Sequence, residues 1–312
     1  MKKILITTIP NMIDETDLKE LKKIAEVDIL INDAITPKEL AEISKNYDCL
    51  MLNYDIVKTL DDSFYKSLKN SKLKAISTDI TGMTWASPQS AKQNGITLMN
   101  TPNYCTESVA EFTIAQILLY ARQIHNSYLD LINKKEQEER KGFDLKGKII
   151  GIVGLGNIGM RVAEIALAFG MNVIAYNRTP KKLKNIKMVS LETIFREADI
   201  ISPHLKCVEG QTEKIINMDL LKLCKPSCFI ANQGGEGLVN LADIEIALKD
   251  KIISGYSGTY KESTKHLSKY ENVILQPPMA WFSDESLHSL RSIWVNNIIN
   301  FLNEVPSNII EE

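Results

Sequence analysis

Gly154, Gly156 and Gly159 stand in the run Gly154-Leu155-Gly156-Asn157-Ile158-Gly159, directly after an apolar stretch (149–153) and directly before an apolar-periodic segment (160–169). A strand, a glycine turn and a helix start in that order are the setting of a dinucleotide fingerprint. Gly154 permits the turn, Gly156 lets the backbone approach a pyrophosphate, and Gly159 lets the helix pack close to the strand. The pyrophosphate would rest on the helix N-terminus, where free N–H groups point outward, so Asn157 and Ile158 join the glycines in this cradle. In a dinucleotide fold the end of the next strand meets the adenosine ribose. A carboxylate there accepts from the 2′-OH of NAD, whereas a nearby Arg accommodates the 2′-phosphate of NADP. This chain reads Tyr176-Asn177-Arg178-Thr179 at that place. Loss of a negative charge and gain of a forked cation suit a phosphate monoester, which favours NADP(H) over NAD(H). The alternative is that Arg178, Lys181 and Lys182 are ordinary solvated charges after a strand.

The elements that must position this cradle follow from the hydrophobic pattern. In the first hundred residues, strand-like segments near 3–8, 27–31, 49–54, 73–77 and 96–100 alternate with helical ones at 15–25, 37–46, 61–71 and 88–94. That rhythm implies a parallel sheet covered on both faces. A longer helical pattern runs over 107–124, and a highly charged run at 133–142 reads as solvated surface. A second alternation begins at Lys148, with strands near 149–153, 172–176, 200–202, 228–232, 252–255 and 272–275. A final helix over 284–302 carries Leu287, Leu290, Ile293, Trp294, Ile298 and Phe301 on its apolar side.

Bulk properties exclude several classes. Hydrophobic residues make up 44% of the 312 and charged residues 24%, ordinary values for a globular chain large enough for two cores. A net charge of −2 gives no reason to expect a nucleic acid or an anionic membrane as partner. No apolar stretch approaches the length of a membrane span, and the N-terminus reads as a first strand, not a signal peptide. The five cysteines are an odd number without metal-ligand spacing, so no metal and a reduced, cytoplasmic setting are expected.

Several stretches together resemble the D-isomer-specific 2-hydroxyacid dehydrogenase family over nearly the whole chain. They are Asn100-Thr101-Pro102 with Ser108-Val109-Ala110-Glu111-Phe112, then Leu145-Lys146-Gly147-Lys148 before the glycine loop. Further on come Ile201-Ser202-Pro203-His204-Leu205, Gly237-Leu238-Val239-Asn240, and Asn272-Val273-Ile274-Leu275 before Ala280-Trp281. The resemblance implies an α/β chain with two Rossmann-like, doubly wound parallel-sheet domains. A discontinuous, flavodoxin-like substrate domain would comprise 1–103 and 284–312, with a dinucleotide-binding domain inserted at 104–283. Homodimerisation through the cofactor domain and a small-molecule substrate are also implied. The cofactor site would extend to His204, Leu205, Gln233 and Thr259, the last standing where an Asp usually contacts the nicotinamide amide.

The family's hydride chemistry rests on an Arg that holds the substrate carboxylate and a His acid kept in place by a Glu. The matching positions here are Gly235 for the Arg and Pro278 for the His; the Glu falls at Thr264 or is retained as Glu262. Glycine has no side chain and proline no titratable group, so neither serves as anion clamp or general acid. The loop that normally offers backbone N–H groups to the substrate carboxylate reads Ser77-Thr78-Asp79-Ile80-Thr81-Gly82. If Asp79 faces the cleft it would repel a carboxylate; otherwise it faces solvent or caps a turn. Candidate catalytic groups are Glu262, Tyr104 (or an aromatic wall) and Lys206, which would donate a proton if buried or else bind a phosphate. Thr78, Asp79, Tyr104 and Trp281 would line the substrate pocket. The expected activity is NADP(H)-dependent reduction of a carbonyl or imine other than a simple 2-oxo acid. The alternative is a catalytically degenerate NADP(H) sensor or regulatory subunit.

Overall fold

The computed structural model describes residues 1–32, 34–133, 139–179 and 181–311; part of the charged run at 133–142, and Pro180, lie outside the described residues. The chain divides into two compact units, one formed by Met1–Cys105 with Ser283–Glu312 and the other by Thr106–Phe282.

In the first unit, β1 (Lys2–Thr8), β2 (Ala25–Ile31), β3 (Cys49–Leu52), β4 (Ala75–Thr78) and β5 (Thr97–Met99) form an all-parallel sheet in the order β2-β1-β3-β4-β5. This is the flavodoxin-like winding, in which the chain reverses its direction of travel between β1 and β3. Successive side chains alternate across the sheet. Leu50 and Leu52 join one core layer, Cys49 and Met51 the other. The connecting helices start on side-chain caps. Asp14 caps α1 (Glu15–Lys22) and Thr36 caps α2 (Pro37–Ser44), both as reciprocal capping boxes; Asp61 caps α3 (Asp62–Ser67). Pro88 opens the short α4 (Pro88–Gln93). The C-terminal helix Asp284–Leu302 covers the second face, burying Trp294, Val295 and Ile298 there. Trp294 Nε1 donates to the Ser77 carbonyl at 2.8 Å and Asn297 Nδ2 to the Asn100 carbonyl at 2.8 Å, which anchors the helix to the ends of β4 and β5.

The second unit opens with α5 (Thr106–Ala121) and α6 (Ile124–Ile132). The helical pattern over 107–124 is broken here, because Gln123 adopts a left-handed conformation with φ 55°. The sheet follows, with β6 (Ile149–Val153), β7 (Asn172–Tyr176), β8 (Ile186–Met188), β9 (Ile200–Pro203), β10 (Phe229–Ala231), β11 (Gly255–Thr259) and β12 (Val273–Gln276). Its order, β12-β11-β10-β9-β6-β7-β8, with all pairs parallel, is the doubly wound dinucleotide-binding arrangement with one strand added. Between β6 and β9 the winding reverses, so the loops after these two strands meet at the switch point. The helix α7 (Asn157–Ala168) follows the glycine loop and buries Gly159, Val162, Ala163 and Ala166.

Candidate functional site

The glycine loop is built as its sequence requires. Gly154 has φ 105°, and a Cβ there would lie 2.9 Å from the backbone of His204 and Leu205. A Cβ at Gly159 would collide with the Gly154 carbonyl oxygen, whereas one at Gly156 would meet nothing within 4 Å. Gly156 is the N-cap of α7 and supplies no side chain to cap it. A backbone free of side chains at a helix N-terminus is the cradle a pyrophosphate fits. The loop is also clamped from outside. Asn177 Oδ1 accepts from the Leu155 N–H at 3.1 Å, and Lys181 Nζ donates to the Leu155 carbonyl at 2.6 Å. Asn177 Nδ2 donates to the Thr179 carbonyl at 2.8 Å. Asn177 is therefore a tie between the loop and the end of β7, while Arg178 and Thr179 are exposed beside it. Arg178 has no ion-pair partner among the described residues.

Across the switch point, the His204 N–H donates to the Val153 carbonyl at 2.7 Å, and its Nε2 shares a 2.8 Å hydrogen bond with Ser202 Oγ. Burial pushes the His204 ring down to about 4, so it is neutral near pH 7. Further along the same edge, Asn232, which follows β10, donates through Nδ2 to Tyr256 Oη and to the Gly235 carbonyl, each at 3.0 Å. Three buried polar atoms in this stretch have no partner: Asn232 Oδ1, Gln233 Nε2 and Ser257 Oγ. Such atoms are costly unless a ligand or water completes them. Their mixed donors and acceptors match a carboxamide such as that of nicotinamide, so the residues present fit the dinucleotide at both ends.

Beyond this point the second unit offers little catalysis. Gly235 has φ 107° and ψ 152°, a region only glycine enters freely, and a Cβ there would meet nothing within 4 Å. Pro278 lies in the turn after β12, where the Met279 N–H donates to the Pro277 carbonyl at 2.7 Å. Glu262 was a candidate for the retained Glu, but its side chain is 89% exposed and pairs with Lys265 at 3.5 Å, so it orients nothing in the interior. Thr264 is buried and holds the turn after β11, its Oγ1 accepting from the Lys261 N–H and donating to the Thr259 carbonyl, both at 2.8 Å. Lys206 is exposed, and the burial on which its proposed proton transfer depended is absent. Trp281 is partly buried and packs edge-on against Phe282, with ring centroids 5.1 Å apart. Among the described residues no group of three or more His, Cys, Asp or Glu is placed to hold a metal ion, and no helix is long and apolar enough to cross a membrane.

The carboxyl edge of the first unit's sheet is more distinctive. Thr78 is fully buried at the end of β4. Asp79, the next residue, is only 7% exposed, so it does not face solvent. Its Oδ2 accepts from Asn53 Nδ2 at 2.5 Å and its Oδ1 from the Tyr54 N–H at 2.8 Å. Burial is the main reason its carboxyl is raised to about 7, against which the Tyr54 hydrogen bond works. The phenol of Tyr104 is pushed up by burial, with smaller contributions from Cys105 and Asp79. Burial likewise raises the Cys105 thiol, which rules against a thiolate nucleophile there. Asn53 and Tyr54 are residues the linear pattern did not single out, and Lys181, weighed there as a solvated charge, instead donates to the Leu155 carbonyl.

Residues 114–280 match the family model for the D-isomer specific 2-hydroxyacid dehydrogenase, NAD binding domain. The chain belongs to the D-isomer-specific 2-hydroxyacid dehydrogenase family. It is 36% identical to a hydroxypyruvate reductase of Thermotoga maritima over 219 residues, which cover 70% of this chain and 69% of that protein. It is 29% identical to a glyoxylate reductase of Thermococcus litoralis, over 99% of this chain and 97% of the other. Among solved structures, an acyclic imino acid reductase in complex with NADPH and D-Arg superimposes with a TM-score of 0.87 at 25% identity, covering 99% of this chain and all of the other. D-2-hydroxyisocaproate dehydrogenase shares the fold with a TM-score of 0.86 at 20% identity, over 99% of this chain and 100% of its own. As a member of the 2-hydroxyacid dehydrogenase family, the chain has an oxidoreductase fold with an NAD(P)-binding domain.

Proposed function

We propose that the protein is an NADP(H)-dependent reductase that acts on a carbonyl or imine other than a simple 2-oxo acid. The observation that carries this reading is the contrast within the second unit. The glycine loop and helix start have the form a pyrophosphate fits, yet the position matched to the family's Arg by resemblance is a glycine in a conformation that disfavours any side chain. Gly154, Gly156 and the start of α7, with Asn157 and Ile158, would hold the pyrophosphate. Arg178 and Thr179 would meet the 2′-phosphate, and Gln233, Asn232, Ser257 and Thr259 the nicotinamide end, with His204 and Leu205 forming the wall beside the loop. When bound, the reduced nicotinamide supplies a hydride.

A protonated imine already carries the positive charge that a carbonyl needs an acid to generate, so its reduction tolerates Pro278 where the family has His. Of the candidate acids, Tyr104 alone combines partial burial with a place beside the first unit's binding edge. The similarity to an imino acid reductase solved with NADPH supports both the imine and the choice of cofactor. We also propose a homodimer through the second unit. Ile124, Tyr128, Leu131 and Ile132 recur at helical spacing on α6 and are each half or more exposed, an apolar stripe that a partner copy would cover.

The test is to follow oxidation of NADPH and, separately, NADH by the purified protein with ketones, aldehydes and preformed imines. Turnover of imines or neutral carbonyls with NADPH is expected. Efficient reduction of pyruvate or glyoxylate in place of these would overturn the reading. Tight NADPH binding without turnover of any substrate would establish the sensor instead, a reading favoured by the exposure of Glu262 and Lys206.

A further inference from the structure

Asp79 is a buried carboxyl without a counter-ion. Its oxygens accept from Asn53 Nδ2 and the Tyr54 N–H, both neutral donors. Among the described residues it forms no ion pair. The charged groups whose fields reach it are Asp55 and Lys58, and Lys58 is already paired with Asp55 and lies over the Tyr54 ring, 4.3 Å from its centroid. A carboxylate withdrawn from water without a counter-ion is costly to keep, and a bound cation removes that cost.

The neighbourhood has the matching chemistry. Tyr54 packs edge-on against Trp85, with centroids 5.0 Å apart, and Trp85 Nε1 is tied to the Gly82 carbonyl at 2.8 Å. Tyr104 lies close enough to Asp79 for the carboxylate to raise its phenol. Aromatic rings around an anion are a recurrent setting for ammonium and guanidinium groups. The place is also one where ligands bind. Asp79 follows β4 and Asn53 follows β3, at the carboxyl ends of parallel strands next to the point where the winding reverses.

We propose that Asp79 determines substrate specificity by serving as counter-ion to a positively charged substrate, one bearing an iminium, ammonium or guanidinium group. This deepens the reductase reading and rests on it for the word substrate; the recognition itself does not need turnover. Asn53 and the Tyr54 N–H fix the carboxylate, Tyr104 lies within reach of its field, the Tyr54–Trp85 ring pair begins at the residue that binds it, and the same charge turns away a 2-oxo acid.

The test compares two small ketones of similar size, aminoacetone and pyruvate, using the full chain with NADPH. Binding of each, and of agmatine, is measured by calorimetry beside NADPH oxidation. Wild type should bind and reduce aminoacetone in preference to pyruvate. Asp79→Asn should weaken aminoacetone and agmatine by roughly 10- to 100-fold, the size of a hydrogen bond to a charged group, and leave pyruvate unchanged or improved. Asp79-dependent binding of aminoacetone and agmatine without NADPH oxidation would uphold the recognition and sink the reductase reading. NADPH oxidation with neutral aldehydes, together with equal effects of Asp79→Asn on cationic and anionic ketones, would do the reverse. Wild-type preference for pyruvate overturns the proposal without any variant, which guards against an Asp79→Asn chain that fails to fold.

Discussion

A carboxyl raised from 3.8 to about 7 by burial is a group that the fold keeps at a cost, and that cost sets a stability prediction. The folded chain holds the Asp79 proton more tightly than the unfolded chain does. Below about pH 4 both states are protonated and the group contributes nothing. As pH rises toward 7 the unfolded chain ionises freely while the folded one resists, so stability is lost across that window. At 1.36 kcal/mol for each pH unit, the full loss is about 4 kcal/mol above pH 7. Asp79→Asn removes the ionisation but keeps an oxygen for the Tyr54 N–H; its amide then faces Asn53 Nδ2, which costs about 1 kcal/mol. The variant should be about as stable as wild type at pH 4.5 and more stable by about 3 kcal/mol at pH 8. Urea denaturation followed by tryptophan fluorescence reads this out, since Trp85 and Trp294 both lie in the unit that holds Asp79. A wild-type-to-variant difference that does not change between the two pH values would refute the reasoning.

Gly235→Arg should not restore reduction of 2-oxo acids, because a side chain at φ 107° strains the backbone by about 1–3 kcal/mol; recovery of pyruvate turnover in this variant would show that the loss is simple truncation. Arg178→Ala should weaken NADPH by roughly 10- to 100-fold while leaving NADH nearly unchanged, measured as separate KM values, and equal effects on both cofactors would place Arg178 away from the 2′-phosphate. Leu131→Glu, in the exposed stripe on α6, should convert a dimer to a monomer in light scattering, and a monomeric wild type would remove the basis for that interface.

What was legible in the sequence was local. The glycine loop, the strand at 149–153 and the two α/β alternations are written in contiguous residues, and the structure places them there. Three misreadings have physical causes. The helical pattern continues through Arg122 and Gln123, residues that favour helix, so the left-handed Gln123 leaves no glycine or proline signal. The strand read at 252–255 lies at Gly255–Thr259 instead. Its glycines and polar residues carry little propensity, and pairing with both β10 and β12 supplies what the residues do not. At three residues, β8 is too short for a periodic signal. The site shows the same division. Asp79 is visible in the chain, but Asn53 lies 26 residues away and meets it only because the parallel register sets Leu52 against Thr78. Asn177 reads in the sequence as the residue expected at the ribose; that its side chain closes the glycine loop depends on the approach of Leu155, which no spacing encodes.

On the proposed reading, the departures from the family share one electrostatic direction. Position 235 would give up a cation and position 278 a titratable ring, while the first unit buries Asp79 directly after β4. The backbone conformation of the glycine at 235 is one that an arginine would have to strain to adopt. If position 235 is the family's Arg position, the loop would have to be reshaped to accept that side chain, so a single substitution is expected not to bring 2-oxo acid chemistry back.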